Sequence, residues 1–141
     1  MNTEKVFADT NLFLRYLTND VPAQADAVES LLHRAEQKQI EMITTSIVIA
    51  EIVWTLERFY NLPREDIQAK VFAILHTPGL QVIDSDLVSH AIVWYAAKNV
   101  DFIDAYNAAW MLREGIGKTY TFDRKHFQRF EGITVETPAQ R

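Results

Sequence analysis

The apolar positions of the chain fall into two kinds of stretch. Short runs of aliphatic and β-branched residues occur at Lys5 to Ala8, Met42 to Thr45, Leu80 to Ile83, Thr119 to Phe122 and Ile133 to Val135, and each has the length and composition of a strand. Between them lie longer stretches with apolar residues three and four apart. Pro22 to Gln37 puts Ala25, Val28, Leu31, Leu32 and Ala35 on one face, and Ile47 to Tyr60, Arg64 to Leu75, Asp86 to Lys98 and Phe102 to Glu114 are predicted helices of the same kind. Gly115 and Gly117 stop the last helix, and His76-Thr77-Pro78-Gly79 reads as a turn.

Nearly continuous apolar strands separated by helices indicate a parallel sheet covered on both faces. The expected fold class is therefore α/β: three layers, α/β/α, around a central parallel sheet of about five strands. The 141 residues suit one hydrophobic core, and with 4 Gly and 4 Pro there is no obvious linker, so one domain over 1–141 is expected. In open sheets of this kind, ligands bind beyond the carboxyl ends of the strands, which is where chemistry should be sought.

Two strands end in aspartate at that edge. Val6-Phe7-Ala8 runs into Asp9-Thr10-Asn11, and Tyr120-Thr121-Phe122 runs into Asp123-Arg124. Either aspartate alone is explained as the cap of a following helix, since Asp accepts well from orphan amides at a helix start. Glu51 is a third acid. Four residues after Ile47 and three after Val48, it is expected on or beside the core-facing stripe of its helix, where an unpaired charge is costly, and no Lys or Arg lies between residues 39 and 57 to pair with it locally. A distant Arg, or a Glu51 that points outward, is the structural alternative. In Asp101-Phe102-Ile103-Asp104-Ala105, Asp101 looks like an N-cap, whereas Asp104 shares a helix side with Ala105, Ala108 and Ala109, whose small side chains permit close packing. Asp104 therefore ranks above Asp101 as a site residue, and Asp101 as an outer helper.

Four carboxylates gathered on one edge would repel one another without a cation. Oxygen-only donors select Mg²⁺ or Mn²⁺ over zinc, and His33, His76, His90 and His126 occur singly, without metal-binding spacing. A hard cation among carboxylates implies phosphodiester hydrolysis, with Glu51 or Asp123 available to orient or deprotonate the attacking water. The charge balance bears on the partner. Nineteen acidic and 14 basic residues give a net charge of -5, which disfavours a protein that coats nucleic acid but not a metal-loaded nuclease. Arg15, Arg124, Lys125 and Arg129 are candidate backbone contacts, although surface charge explains each of them singly. Trp54, Trp94 and Trp110 read as packing or interface residues. Cysteine is absent, the charge-free run Leu87 to Ala97 is too short for a bilayer, and the N-terminal residues lack signal-peptide features, so a cytoplasmic protein without membrane contact is expected.

The ordered set Asp9-Thr10-Asn11, Thr45-Ser46 leading to Glu51, Asp101-Phe102-Ile103-Asp104-Ala105, and Thr121-Phe122-Asp123 before Phe127 resembles the motifs of PIN-domain ribonucleases. Spacing and length are most similar to VapC-like toxins of VapBC toxin-antitoxin pairs. The resemblance runs from Val6 to about Val135. It implies that Asp9 and Asp104 are the principal metal ligands, that Glu51 and Asp123 complete the catalytic acidic site, and that Asn11 and Ser46 support it. It further implies a Mg²⁺- or Mn²⁺-dependent endoribonuclease acting on RNA, a homodimer, and a cognate antitoxin protein that covers the active-site groove. The competing classes are a non-catalytic interaction module on the same fold and a Mg²⁺-dependent phosphotransfer domain. Asn11 stands where a haloacid-dehalogenase-like phosphatase needs a second Asp, and Lys118 precedes the fourth strand where a receiver domain needs a Lys after it.

Overall fold

In a computed structural model that describes residues 3–122 and 124–139, without the side chain of His126, β1 (Glu4–Phe7), β2 (Ile40–Thr44) and β3 (Leu80–Val82) form a parallel sheet in the order β1-β2-β3. Parallel neighbours need long crossovers. Helices α1 (Thr10–Thr18) and α2 (Pro22–Glu36) supply the first, and α3 (Ser46–Arg58) and α4 (Arg64–Leu75) the second. These elements make up one compact unit, which ends at Ser85. Within it α1 packs on α2 and α3, α3 packs on α4, and α2 lies against β2 and β3. Met42, Ile49, Ile52, Leu56, Ile67 and Val71 are excluded from solvent and form its core.

A second unit starts at Asp86. It contains nearly all of α5 (Ser85–Lys98), then α6 (Phe102–Arg113), β4 (Lys118–Tyr120), the short α7 (Arg124–Phe127) and β5 (Thr134–Glu136), with β4 and β5 paired in parallel. Trp94 packs on Phe130 with ring centroids 5.0 Å apart, and Arg129 Nη1 donates to the carbonyls of Lys98 and Asn99 at the end of α5. The Lys118 ammonium lies 3.2 Å from the Glu136 carboxylate, and that hydrogen bond with its charge holds the lysine above its ordinary value.

The five predicted strands are all present, each displaced by at most about two residues, and every pairing is parallel. They stand as a three-stranded and a two-stranded sheet. Five helices also match the periodicity. The hydrophobic pattern does not single out α1; in the sequence only the capping residue Asp9 points to a helix there.

Candidate active site

The register Phe7 opposite Ile43 makes β1 and β2 leave the sheet at the same level. Asp9 follows Phe7 by two residues, and Thr45 follows Ile43 by two. The intervening Ala8 is completely buried and tied on both sides: its N–H donates to the Ile43 carbonyl at 2.9 Å, and its carbonyl accepts from Thr44 Oγ1 at 2.7 Å. Thr44 is itself buried to 0% exposure, so the bond is made away from water. No pattern in the sequence marks Thr44 as part of the site. Its role follows from β2 being the central strand of its sheet.

Asp9 caps α1. Its backbone is extended, with φ -93° and ψ 173°, and its Oδ1 accepts from the amides of Asn11 at 2.8 Å and Leu12 at 3.3 Å. One carboxylate oxygen is thus held by the helix start. Among the described residues the other makes no hydrogen bond or ion pair, and the side chain is exposed. The two readings of Asp9, cap and site residue, are therefore compatible, because they use different oxygens. Asn11, on the first turn, is exposed as well. Thr45 caps α3 in the same manner, accepting from the Val48 amide at 3.4 Å, and Ser46 is the first residue of that helix.

Glu51 does not face the core. The buried side of α3 is Val48, Ile49, Ile52, Val53 and Leu56, while Glu51 is exposed between Ile47, 71% exposed, and Trp54, 54% exposed. The expectation of a core-facing carboxylate fails because α3 is apolar on almost every side, so a position four residues from Ile47 belongs to the outer stripe. The burial penalty argued from sequence does not apply. Glu51 is an exposed carboxylate that makes no hydrogen bond or ion pair among the described residues.

Asp20, Tyr60 and Thr18, which no sequence motif singles out, join Arg15 in pinning the far end of α1. The Asp20 carboxylate accepts from Tyr60 Oη at 2.7 Å, from Thr18 Oγ1 at 2.9 Å and from Arg15 Nη1 at 3.4 Å. The Tyr60 and Thr18 hydroxyls, helped by the Arg15 charge, hold this carboxyl below its ordinary value. The cluster links the turn after α1 to the segment after α3, the helices that begin beside Asp9 and carry Glu51. Its only local signal is Asn19-Asp20 before Pro22, with Asn19 in the left-handed conformation at φ 53°.

In the second unit Asp101 occupies the N-cap position of α6 but makes no side-chain capping bond. The Ala105 amide instead bonds to its backbone carbonyl at 2.9 Å. Asp104 lies in the first turn and is half-buried, followed by Ala105, Ala108 and Ala109, all excluded from solvent as their size suggests. Asp123 lies outside the described residues. Arg124 Nη2 donates to the Val135 carbonyl at 3.4 Å, Arg129 is committed to the end of α5, and the half-buried Arg15 pairs with Asp20 at 3.4 Å, while Lys125 is exposed. His33, His76 and His90 are exposed, with His90 against Trp94 and His76 against Phe72. Among the described residues no three His, Asp or Glu side chains are grouped to hold an ion, and no helix is long and apolar enough to cross a membrane. The candidate donors that are described, Asp9 through its outer oxygen, Glu51 and Asp104, are all carboxylates, hard oxygens of the kind that suit Mg²⁺ or Mn²⁺.

A family model described as PIN domain matches residues 6–133, a span that runs through both units. The chain is also similar to a protein named VapC ribonuclease from Aquifex aeolicus (strain VF5), with 26% identity over 117 residues, 83% of this chain and 86% of that protein.

Proposed function

The chain belongs to the PIN domain family, and from that premise we propose that it is a Mg²⁺- or Mn²⁺-dependent endoribonuclease, the toxin of a toxin-antitoxin pair, with the whole chain acting as a single PIN-like domain. The likeness to a VapC ribonuclease across most of both chains supports the reaction and the toxin role. Asp9 is the observation that carries the reading: a carboxylate at the end of a central-sheet strand, fixed through one oxygen and open through the other. Asp9 and Asp104 are the principal ligands in this proposal, with Glu51 and Asp123 completing the set. When bound, the ion polarises the phosphoryl oxygen and lowers the pKa of a water at the reacting phosphorus.

The chain's own residues supply the rest. The N-cap bonds fix the direction of the open Asp9 oxygen, so no side-chain rotamer entropy is spent on orienting it during the reaction. Glu51 accepts the proton of the attacking water on a carboxylate oxygen as that water's oxygen forms a bond to phosphorus and the bond to the leaving ribose oxygen breaks; a second proton from solvent completes the leaving hydroxyl. A cognate antitoxin, assembly as a homodimer and a cytoplasmic setting belong to the same proposal.

The test is cleavage of a single-stranded RNA by purified protein, with and without Mn²⁺. Wild type is expected to cleave only with the ion. Asp9→Asn and Asp104→Asn should lose that cleavage while keeping the wild-type circular dichroism spectrum, and Glu51→Gln should lower kcat by about 10²-fold or more. Undiminished cleavage in the two aspartate variants would refute the assignment.

A further inference from the structure

Beside Asp9, a cleft of about 430 Å³ opens between α1 and α2, lined by Asn11, Leu12 and Arg15 from α1 and by Gln24, Ala27 and Val28 from α2. Arg15 is a candidate backbone contact and Asn11 a supporting residue of the acidic site, but no sequence motif joins them to Gln24, Ala27 and Val28 in one cleft. Its composition is specific. Arg15 is the only charged residue of its wall, and it stands with two neutral amides and three apolar side chains. Asn11 and Arg15 are four residues apart on α1, so they share a face and lie one above the other about 6 Å along the helix. Asp9 precedes this face by two residues and is tied to it through the Asn11 amide, which donates to Asp9 Oδ1 at 2.8 Å.

We propose that this cleft is the subsite for the nucleotide next to the cleaved bond, with Arg15 holding its phosphate and Asn11 and Gln24 taking hydrogen bonds from its sugar or base. The proposal rests on the ribonuclease reading of Asp9. The Arg15 guanidinium has five N–H donors, and among the described residues its one partner is Asp20 at 3.4 Å, the outer edge of hydrogen bonding. Four donors are free for an anion in a planar fork that suits phosphate. The side-chain amides of Asn11 and Gln24 make no hydrogen bond among the described residues, and each offers both donor and acceptor, the pair of functions needed to meet a 2′-hydroxyl or a base edge. Leu12, Ala27 and Val28 give the ribose or base an apolar wall. In a protein of net charge -5, one arginine a single helical turn beyond Asn11 is a local exception that attracts a strand toward the carboxylates without coating the protein with it.

Asp20 makes the proposal separable from a structural role for Arg15. If the Arg15–Asp20 pair only holds α1 in place, removing either partner weakens whatever depends on α1. If Arg15 is a phosphate ligand, Asp20 competes for it, and the two substitutions act in opposite directions. Binding of a fluorescein-labelled single-stranded oligoribonucleotide, followed by anisotropy in Ca²⁺ across a salt series, reads this directly. Arg15→Ala is expected to raise Kd about ten-fold and to flatten the slope of log Kd against log salt by about 0.7, the effect of one lost phosphate contact. Asp20→Asn should bind as tightly as wild type or more tightly.

Equal binding by wild type and Arg15→Ala at every salt concentration overturns the subsite. So does equal weakening by Arg15→Ala and Asp20→Asn, which marks the pair as structural. A cleft in which Arg15→Ala leaves RNA binding intact but abolishes binding of an acidic peptide is a protein-docking site, and the proposal falls. Wild type that binds RNA through Arg15, with the expected slope change, but fails to cleave it with Mg²⁺ or Mn²⁺ upholds the cleft and refutes the nuclease reading instead.

Discussion

Thr44 shows how much of a site can depend on a residue that does no chemistry. Its hydroxyl is the donor to the Ala8 carbonyl, immediately before Asp9, and both groups are excluded from water. Thr44→Val keeps the shape and removes the donor, leaving a buried carbonyl without a partner, so the protein should lose about 1–3 kcal/mol in urea denaturation. An unchanged midpoint would mean that Ala8 finds another donor. Asp9 separates in a similar way into two roles. Asp9→Ala removes cap and charge together and should cost about 1 kcal/mol, whereas Asp9→Asn can still cap and should cost much less while losing cleavage equally. The cap was legible in the sequence, because an aspartate following an apolar strand is a good cap, and the position of its carboxylate beyond the strand end made it a site candidate as well. The orientation of Glu51 was not legible. Apolar residues flank it on both sides of α3, and only tertiary packing decides that Val48, Ile49 and Ile52 turn inward while Ile47 and Trp54 do not.

Whole elements were easier to read than their faces, with α1 as the exception. It buries only Phe13 and Leu14, too few apolar positions to establish a period, and it is specified at its ends: the Asp9 cap, and Asn19, whose left-handed backbone closes the last turn as its N–H donates a hydrogen bond to the Arg15 carbonyl. The Asp20 cluster then fixes that end. The Asp20 carboxyl lies below its ordinary value of 3.8 in the folded protein, so its contribution is fully present above the unfolded value and is lost as pH falls through the lower folded one. The stability difference between wild type and Asp20→Asn should therefore be constant above about pH 5 and shrink at more acid pH. A difference that does not vary with pH would exclude the carboxylate as its source. At the entry to β3, Gly79 has φ +80°, and a Cβ there would lie 2.3 Å from the Ala35 carbonyl oxygen. Both the backbone and the contact exclude other residues, so Gly79→Ala should destabilise the first unit by well over about 1 kcal/mol. The turn was legible from Thr77-Pro78-Gly79; the close approach of α2 that makes the glycine obligatory was not.

At the scale of the molecule, the alternation of strands and helices carried the α/β class, because hydrophobic periodicity is local and survives without tertiary information. Strand order does not have that property. With β3, β4 and β5 only three residues long, pairing is set by how the crossover helices pack, which no single stretch encodes. The charge balance needs a similar distinction between local and global. Asp9, Glu51, Asp104 and Asp123 are four of 19 acidic residues, and without them 15 acids would face 14 bases, so a metal site would account for most of the net charge of -5. Any divalent cation also stabilises an acidic protein weakly as a counterion, so stabilisation by Mn²⁺ alone does not identify a site. A matched pair of neutralisations does. Asp26, exposed on α2, lies outside the proposed ligand set, and Asp26→Asn changes the net charge by the same amount as Asp9→Asn. Specific binding adds about 2.7 kcal/mol when the free ion is at one hundred times its Kd, several degrees in thermal midpoint for a protein of this size. Mn²⁺ should therefore raise the midpoints of wild type and Asp26→Asn alike and leave Asp9→Asn and Asp104→Asn nearly unmoved. Equal shifts in all four proteins would make the ion a counterion and nothing more, and the acidic residues would have to be explained without a metal.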